Sequence, residues 1–152
     1  MDIPQIRRMA EAELKAARQA GDAWLWIATD ADTKLVPSWF VGSREVDSAI
    51  IFMEDLASRL ANRVQLTSDG HRPYFEAVEG AFGADIDYAM LVKIDGTPDT
   101  RTPERRYAPA ECIGCQKQRV QGEPDPKHIS TSFAERNNLN VRMHSRRMTR
   151  LR

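Results

Sequence analysis

The stretch Arg63-Val64-Gln65-Leu66-Thr67-Ser68-Asp69-Gly70 decides how this chain is read. Val64 and Leu66 stand two apart, so a strand turns both to one face, and Asp69-Gly70 is a turn signal that stops it. Asp69 is thereby expected at the carboxyl end of a buried strand. In open α/β sheets the crevice outside those ends is where ligands bind, which makes Asp69 a candidate for chemistry. The competing reading is local: Asp-Gly is common turn chemistry, and the carboxylate then serves only its own backbone.

The elements on either side extend the pattern. Before the strand, Val46, Ile50, Phe52, Met53, Leu56, Ala57 and Leu60 recur at helical spacing over residues 44 to 62, with Ser43 as the expected N-cap. After it, Pro73 suits the first turn of a helix over residues 72 to 82, with Phe75, Val78, Ala81 and Phe82 inward. Ile86 to Lys93 then reads as another strand. Residues 64 to 93 are expected to form a βαβ unit with parallel strands and a right-handed crossover.

Further out, Ala23 to Thr29 and Leu35 to Val41 are rich in aromatic and branched residues and flank the polar run Asp30 to Lys34, which predicts a β-hairpin. Pro37 lacks an amide donor and belongs at an edge or a bulge. Residues 3 to 20 place Ile3, Ile6, Met9, Leu14 and Ala17 at helical spacing, an amphipathic helix that stands apart as its own segment. Residues 95 to 127 are rich in proline and charge without a sustained period, and read as a long irregular excursion. From Ser130 to the end the spacing predicts a basic helix, capped by Thr131 or Ser132, with Glu135 three residues after Ser132 completing a capping box.

The chain has 152 residues, of which 41% are hydrophobic, enough for one domain with a packed core. Its 22 basic and 22 acidic residues cancel, so composition alone names no partner. The distribution is uneven: from Arg136 onward there are six arginines and no acid, and such a tail suits phosphates. Arg142, Arg146, Arg147 and Arg150 recur at spacings of three and four, as a single helical face along a DNA backbone requires. Cys112 and Cys115 are the only cysteines, and the N-terminus lacks an apolar signal core, so a cytoplasmic setting is expected. No apolar run approaches the ~20 residues of a membrane helix. The Cys112-x-x-Cys115 spacing is half of a zinc site without a second half.

Four blocks carry a further signal: Trp24 to Leu35, Asn62 to His71, Gly80 to Met90, and Pro124 to Ser132 continuing through Glu135 to Leu139. In this order they resemble bacterial insertion-sequence transposases of the DDE type, in the group related to insertion sequence one. The resemblance runs from about Gly21 to Leu151. It implies an RNase H-like α/β fold, a mixed sheet with helices and a basic C-terminal helix. It also implies a catalytic site in which two aspartates and a glutamate hold two magnesium or manganese ions for DNA cleavage and strand transfer. Asp69 then matches the second acid and Glu135 the third, 135 − 69 = 66 positions apart. Double-stranded DNA, a homo-oligomer and a place at the bacterial nucleoid come with the resemblance.

The chain departs from the family pattern in two ways. No Asp-Glu-x-Trp-like stretch precedes Trp24, so the first strand and the first acid are expected to be missing, with Asp2, Asp22 or Asp30 as weak substitutes. The chain also stops at Arg152 where family members continue, so truncation at both ends is the expectation. The alternative function is a non-catalytic DNA-binding or oligomerising remnant that modulates an intact transposase.

Overall fold

The computed structural model describes residues 23–96 and 112–145. The helix expected over residues 3 to 20 lies outside them, as do Arg146, Arg147 and Arg150. In chain order the described elements are β1 (Trp24–Ile27), β2 (Trp39–Gly42), α1 (Val46–Arg59), β3 (Gln65–Asp69), α2 (Pro73–Phe82), β4 (Asp87–Asp95), β5 (Cys112–Gln121) and α3 (Ser132–His144). β1 and β2 form the expected antiparallel hairpin, with Trp26 opposite Phe40. β3 and β4 run parallel, and β5 adds antiparallel to β4, giving a mixed three-stranded sheet of order β3-β4-β5. This is an α/β architecture.

The core follows from the two apolar periods. Ala49, Phe52, Met53 and Leu56 make the buried stripe of α1, Ala77 and Val78 that of α2, and alternation along β4 turns Tyr88 and Met90 to the same side. Trp26 of the hairpin closes this cluster, and its indole N–H donates to the Ser43 carbonyl at 3.0 Å. β2 comes close to the start of α1 because Gly42 has no side chain: a Cβ there would run into the Phe40 ring and stand 2.7 Å from the Ser48 hydroxyl. Ser43 is not the cap of α1. Its hydroxyl instead pairs with that of buried Ser48 at 3.0 Å, and Glu45 takes the N-cap position without a side-chain bond.

The excursion over residues 95 to 127 is not wholly irregular. Ten of its residues form β5, whose ladder runs from Tyr88 opposite Gln121 to Asp95 opposite Cys112. Glycine and charge hid this strand, since most of β5 is exposed and therefore shows no apolar alternation. The two cysteines fall on this strand. At its far end Gly122, at φ +65°, brings the chain against Asp87, where a Cβ would also meet Arg63 and the Ile86 carbonyl.

α3 is shorter than its sequence suggests. It ends at His144, where Ser145 is extended, and of the arginine repeat it carries Arg142. The helix has no buried residue and includes Asn137, Asn138 and Asn140, poor helix formers whose side chains compete for the backbone. The capping box does not form either: the Ser132 amide donates to Ser130 Oγ at 3.2 Å, and Glu135 points elsewhere.

Candidate functional site

β3 ends at Asp69, as the turn signal requires, level with Leu91 of β4. The Asp69 carboxylate accepts the His71 amide at 3.1 Å, so the local turn role is real. One oxygen serves the turn, and the side chain remains exposed at the strand end. His71 is fixed in turn. Its ring lies 5.7 Å from Trp26 and 5.9 Å from Tyr74, centre to centre, and its Nε2–H donates to the Arg44 carbonyl at 3.0 Å. Arg44 lies over the face of Trp24 at 4.7 Å, a cation–π contact that sequence reading did not anticipate.

Glu135 sits in the first turn of α3, 50% exposed, and is held from two sides. Lys93 Nζ approaches it at 2.7 Å, and the Thr131 hydroxyl donates to it at 2.8 Å. The Lys93 hydrogen bond, aided by Thr131, pulls the Glu135 carboxyl below its ordinary value against a smaller opposing effect of burial. Lys93 was missed from sequence because nothing local marks it. It lies 42 positions before Glu135 (135 − 93) and meets it only because the residues of β4 alternate, leaving Lys93 on the face opposite Tyr88 and Met90.

Asp69 and Glu135 line one cleft of ≈ 980 Å³ between β1 and β3. Phe52, Leu56 and Tyr74 border it on the side of the core, and Thr131, Asn138 and Arg142 on the side of α3. Burial pushes both the Tyr74 and Tyr88 phenols up, and the negative charge of Asp69 pushes in the same direction, while the Ser68 hydrogen bond to Tyr88 opposes it. Both shifts favour the protonated phenol. Two further contacts help to place α3: Asn137 donates to the Thr29 hydroxyl at 3.1 Å, and Lys34 stands 3.5 Å over the Phe133 ring.

Among the other sequence candidates, Asp30 also borders the cleft, but its carboxylate is used inside the hairpin turn. It accepts the Thr33 hydroxyl at 2.5 Å and the Asp32 amide at 3.2 Å, and the Thr33 bond lowers its pKa first. Asp2 and Asp22 lie outside the described residues. Arg142 is exposed at the last turn of α3 and is the one described member of the arginine set. Trp26 is core, whereas Trp24 and Trp39 are 40% and 65% exposed. Among the described residues no group of three or more His, Cys, Asp or Glu stands together as a metal cluster.

Fold and cleft define an α/β protein with a mixed sheet and an acid at the crevice end of a parallel strand. No family model, curated protein or solved structure matches the chain. Among the described residues no helix is long and apolar enough to cross a membrane.

Proposed function

We propose that the chain is the catalytic-core portion of a DDE-type insertion-sequence transposase with an RNase H-like fold, built for metal-dependent cleavage and joining of DNA. One observation carries the reading: Asp69 at the end of β3 and Glu135 at the start of α3, 66 positions apart, border the same cleft. The sequence resemblance supplies the reaction class.

The donors are of the type a hard cation takes. Two carboxylates on one cleft are the oxygen chemistry that magnesium accepts, with waters and substrate phosphate completing the shell. They do not amount to the three acids of a two-metal site, and since Lys93 and Thr131 both meet Oε1 of Glu135, a cation would take Oε2 or displace them. When bound, such an ion activates an attacking water or 3′-hydroxyl and stabilises the leaving oxygen of a phosphoryl group. The chain's own residues bind and orient: Asp69 and Glu135 present oxygens, His71 borders the same cleft two residues from Asp69, and Arg142 can meet a phosphate across it.

The test is nicking and strand transfer on linear duplex DNA in magnesium or manganese, comparing the chain with Asp69→Ala and Glu135→Ala. Activity that is lost in both variants, with their melting curves intact, supports the reading. Activity that survives both substitutions, or no activity from folded protein, removes the catalytic claim.

The Lys93–Glu135 ion pair favours a second reading, a non-catalytic remnant that binds duplex DNA and mixes with an intact transposase. Its mark is duplex binding that persists without metal and weakens steeply with salt. Binding that requires magnesium removes it.

A further inference from the structure

We infer that the cleft between β1 and β3 is a slot for one extended strand of a second polypeptide. The inference stands apart from the DNA-cleaving reading, because it needs neither metal nor DNA. It begins with the direction of the main-chain groups. Ala28 N–H donates to the Ser38 carbonyl at 3.0 Å, so Ala28, and with it Trp26 opposite Phe40, turns its backbone groups toward β2. In an antiparallel pair the intervening residues point the other way, which directs those of Leu25 and Ile27 outward. On β3 the Val64 carbonyl accepts the Asp87 amide at 3.1 Å, so Val64, Leu66 and Ser68 face β4. Gln65, Thr67 and Asp69 therefore direct theirs away from it.

Among the described residues, no strand pairs with either outward edge. Both edges border the same cleft. One inserted strand would pair with each and join the hairpin to the three-stranded sheet as a single continuous six-stranded sheet. Side chains fix its character. Toward the core the slot presents Trp26, Phe52, Leu56 and Tyr74; toward α3 it presents Thr67, Thr131 and the carboxylates of Asp69 and Glu135. The complementary occupant alternates apolar side chains with hydrogen-bond donors, and a span matching β3 needs about five residues at ~3.3 Å each. Unpaired strand edges want partners, and main-chain bonding with alternate-side-chain pockets is how a strand adds to a sheet.

The probe is a capped peptide of about seven residues alternating valine and lysine, titrated into the full chain while amide hydrogen exchange is followed. Saturable binding with slowed exchange at Leu25, Ile27, Gln65 and Thr67 is the expected result. The same peptide N-methylated at alternate residues keeps its charge and loses its main-chain donors toward one edge, so its affinity should fall at least about tenfold. Ile27→Pro and Thr67→Pro each remove one outward amide without touching the existing ladders, and each should weaken the unmethylated peptide. No saturable binding to the folded chain, or equal binding of the methylated and unmethylated peptides, overturns the inference even if either proline variant fails to fold.

Discussion

Where β3 begins, Arg63 directs its guanidinium at Asp87 and at the carbonyls of Ala84 and Ile86, with its shortest contact at 2.8 Å, and Asp87 also accepts the Glu123 amide at 2.8 Å. Where β3 ends, Asp69 gives one oxygen to the His71 amide, and its neighbour across the cleft, Glu135, is held by a lysine that is itself half exposed. The first end knits the start of β3, the start of β4 and the end of β5 together by a planar donor fork matched to a carboxylate. The second leaves carboxylate oxygen facing open volume. A charged group satisfied on every side holds structure, whereas one left with unused acceptors can still bind something else, and on the proposed reading that contrast makes Asp69 the acid to test and Asp87 the structural one.

The comparison can be broken in several places. The largest effect belongs to the core that both ends share: Phe52→Ala should lower stability by about 3–5 kcal/mol, measured by denaturant unfolding. Equal loss of order at both ends is expected, and loss confined to one would show that they fold independently. Tyr88→Phe removes the buried 2.7 Å bond between its hydroxyl and Ser68, and should cost about 1–2 kcal/mol while sparing any DNA-cleaving activity.

Asp87→Asn should lower the melting temperature, whereas Asp69→Asn should leave it unchanged and reduce activity. The reverse pattern would exchange the two roles. In acid the ends should also separate. Arg63, its hydrogen bond first, holds the Asp87 carboxyl down at about 2 against an ordinary 3.8, so the stability it contributes is complete above the ordinary value and is lost as pH falls through that interval. A titration of the Asp87 carboxyl by NMR checks this. The smallest effect is that of Lys93→Met: an exposed pair is worth less than about 1 kcal/mol, but the Glu135 carboxyl should titrate nearer its ordinary value once the ammonium is gone. Unchanged titration would mean that Thr131 alone depresses it.

Much of the frame was legible because it rests on local periodicity. The parallel pair β3 and β4, the helix between them and the hairpin all follow from alternation, the 3.6-residue repeat and turn residues. β5 was not, since an exposed strand carries no apolar code, and the end of α3 was not, since a helix without a buried face has little in its sequence to set its length. At the site, Asp69 was found by its place at a strand end. Glu135 came from resemblance, because its local pattern argued for a capping box that the Ser132 amide does not make. Lys93 and Thr131 reach Glu135 through the fold, and Arg63 finds Asp87 24 positions away, so no window of sequence contains either relationship.

α3 buries none of its residues fully, and its described contacts include Asn137 with Thr29 and Glu135 with Lys93. Segments with so little apolar contact open at free energies well below that of global unfolding. One carboxylate of the cleft thus rides on the least anchored helix described, while the other is built into the sheet. The two acids of the cleft are held to different depths, one by the ladder of the sheet and the other by a lysine and a threonine at the start of a helix.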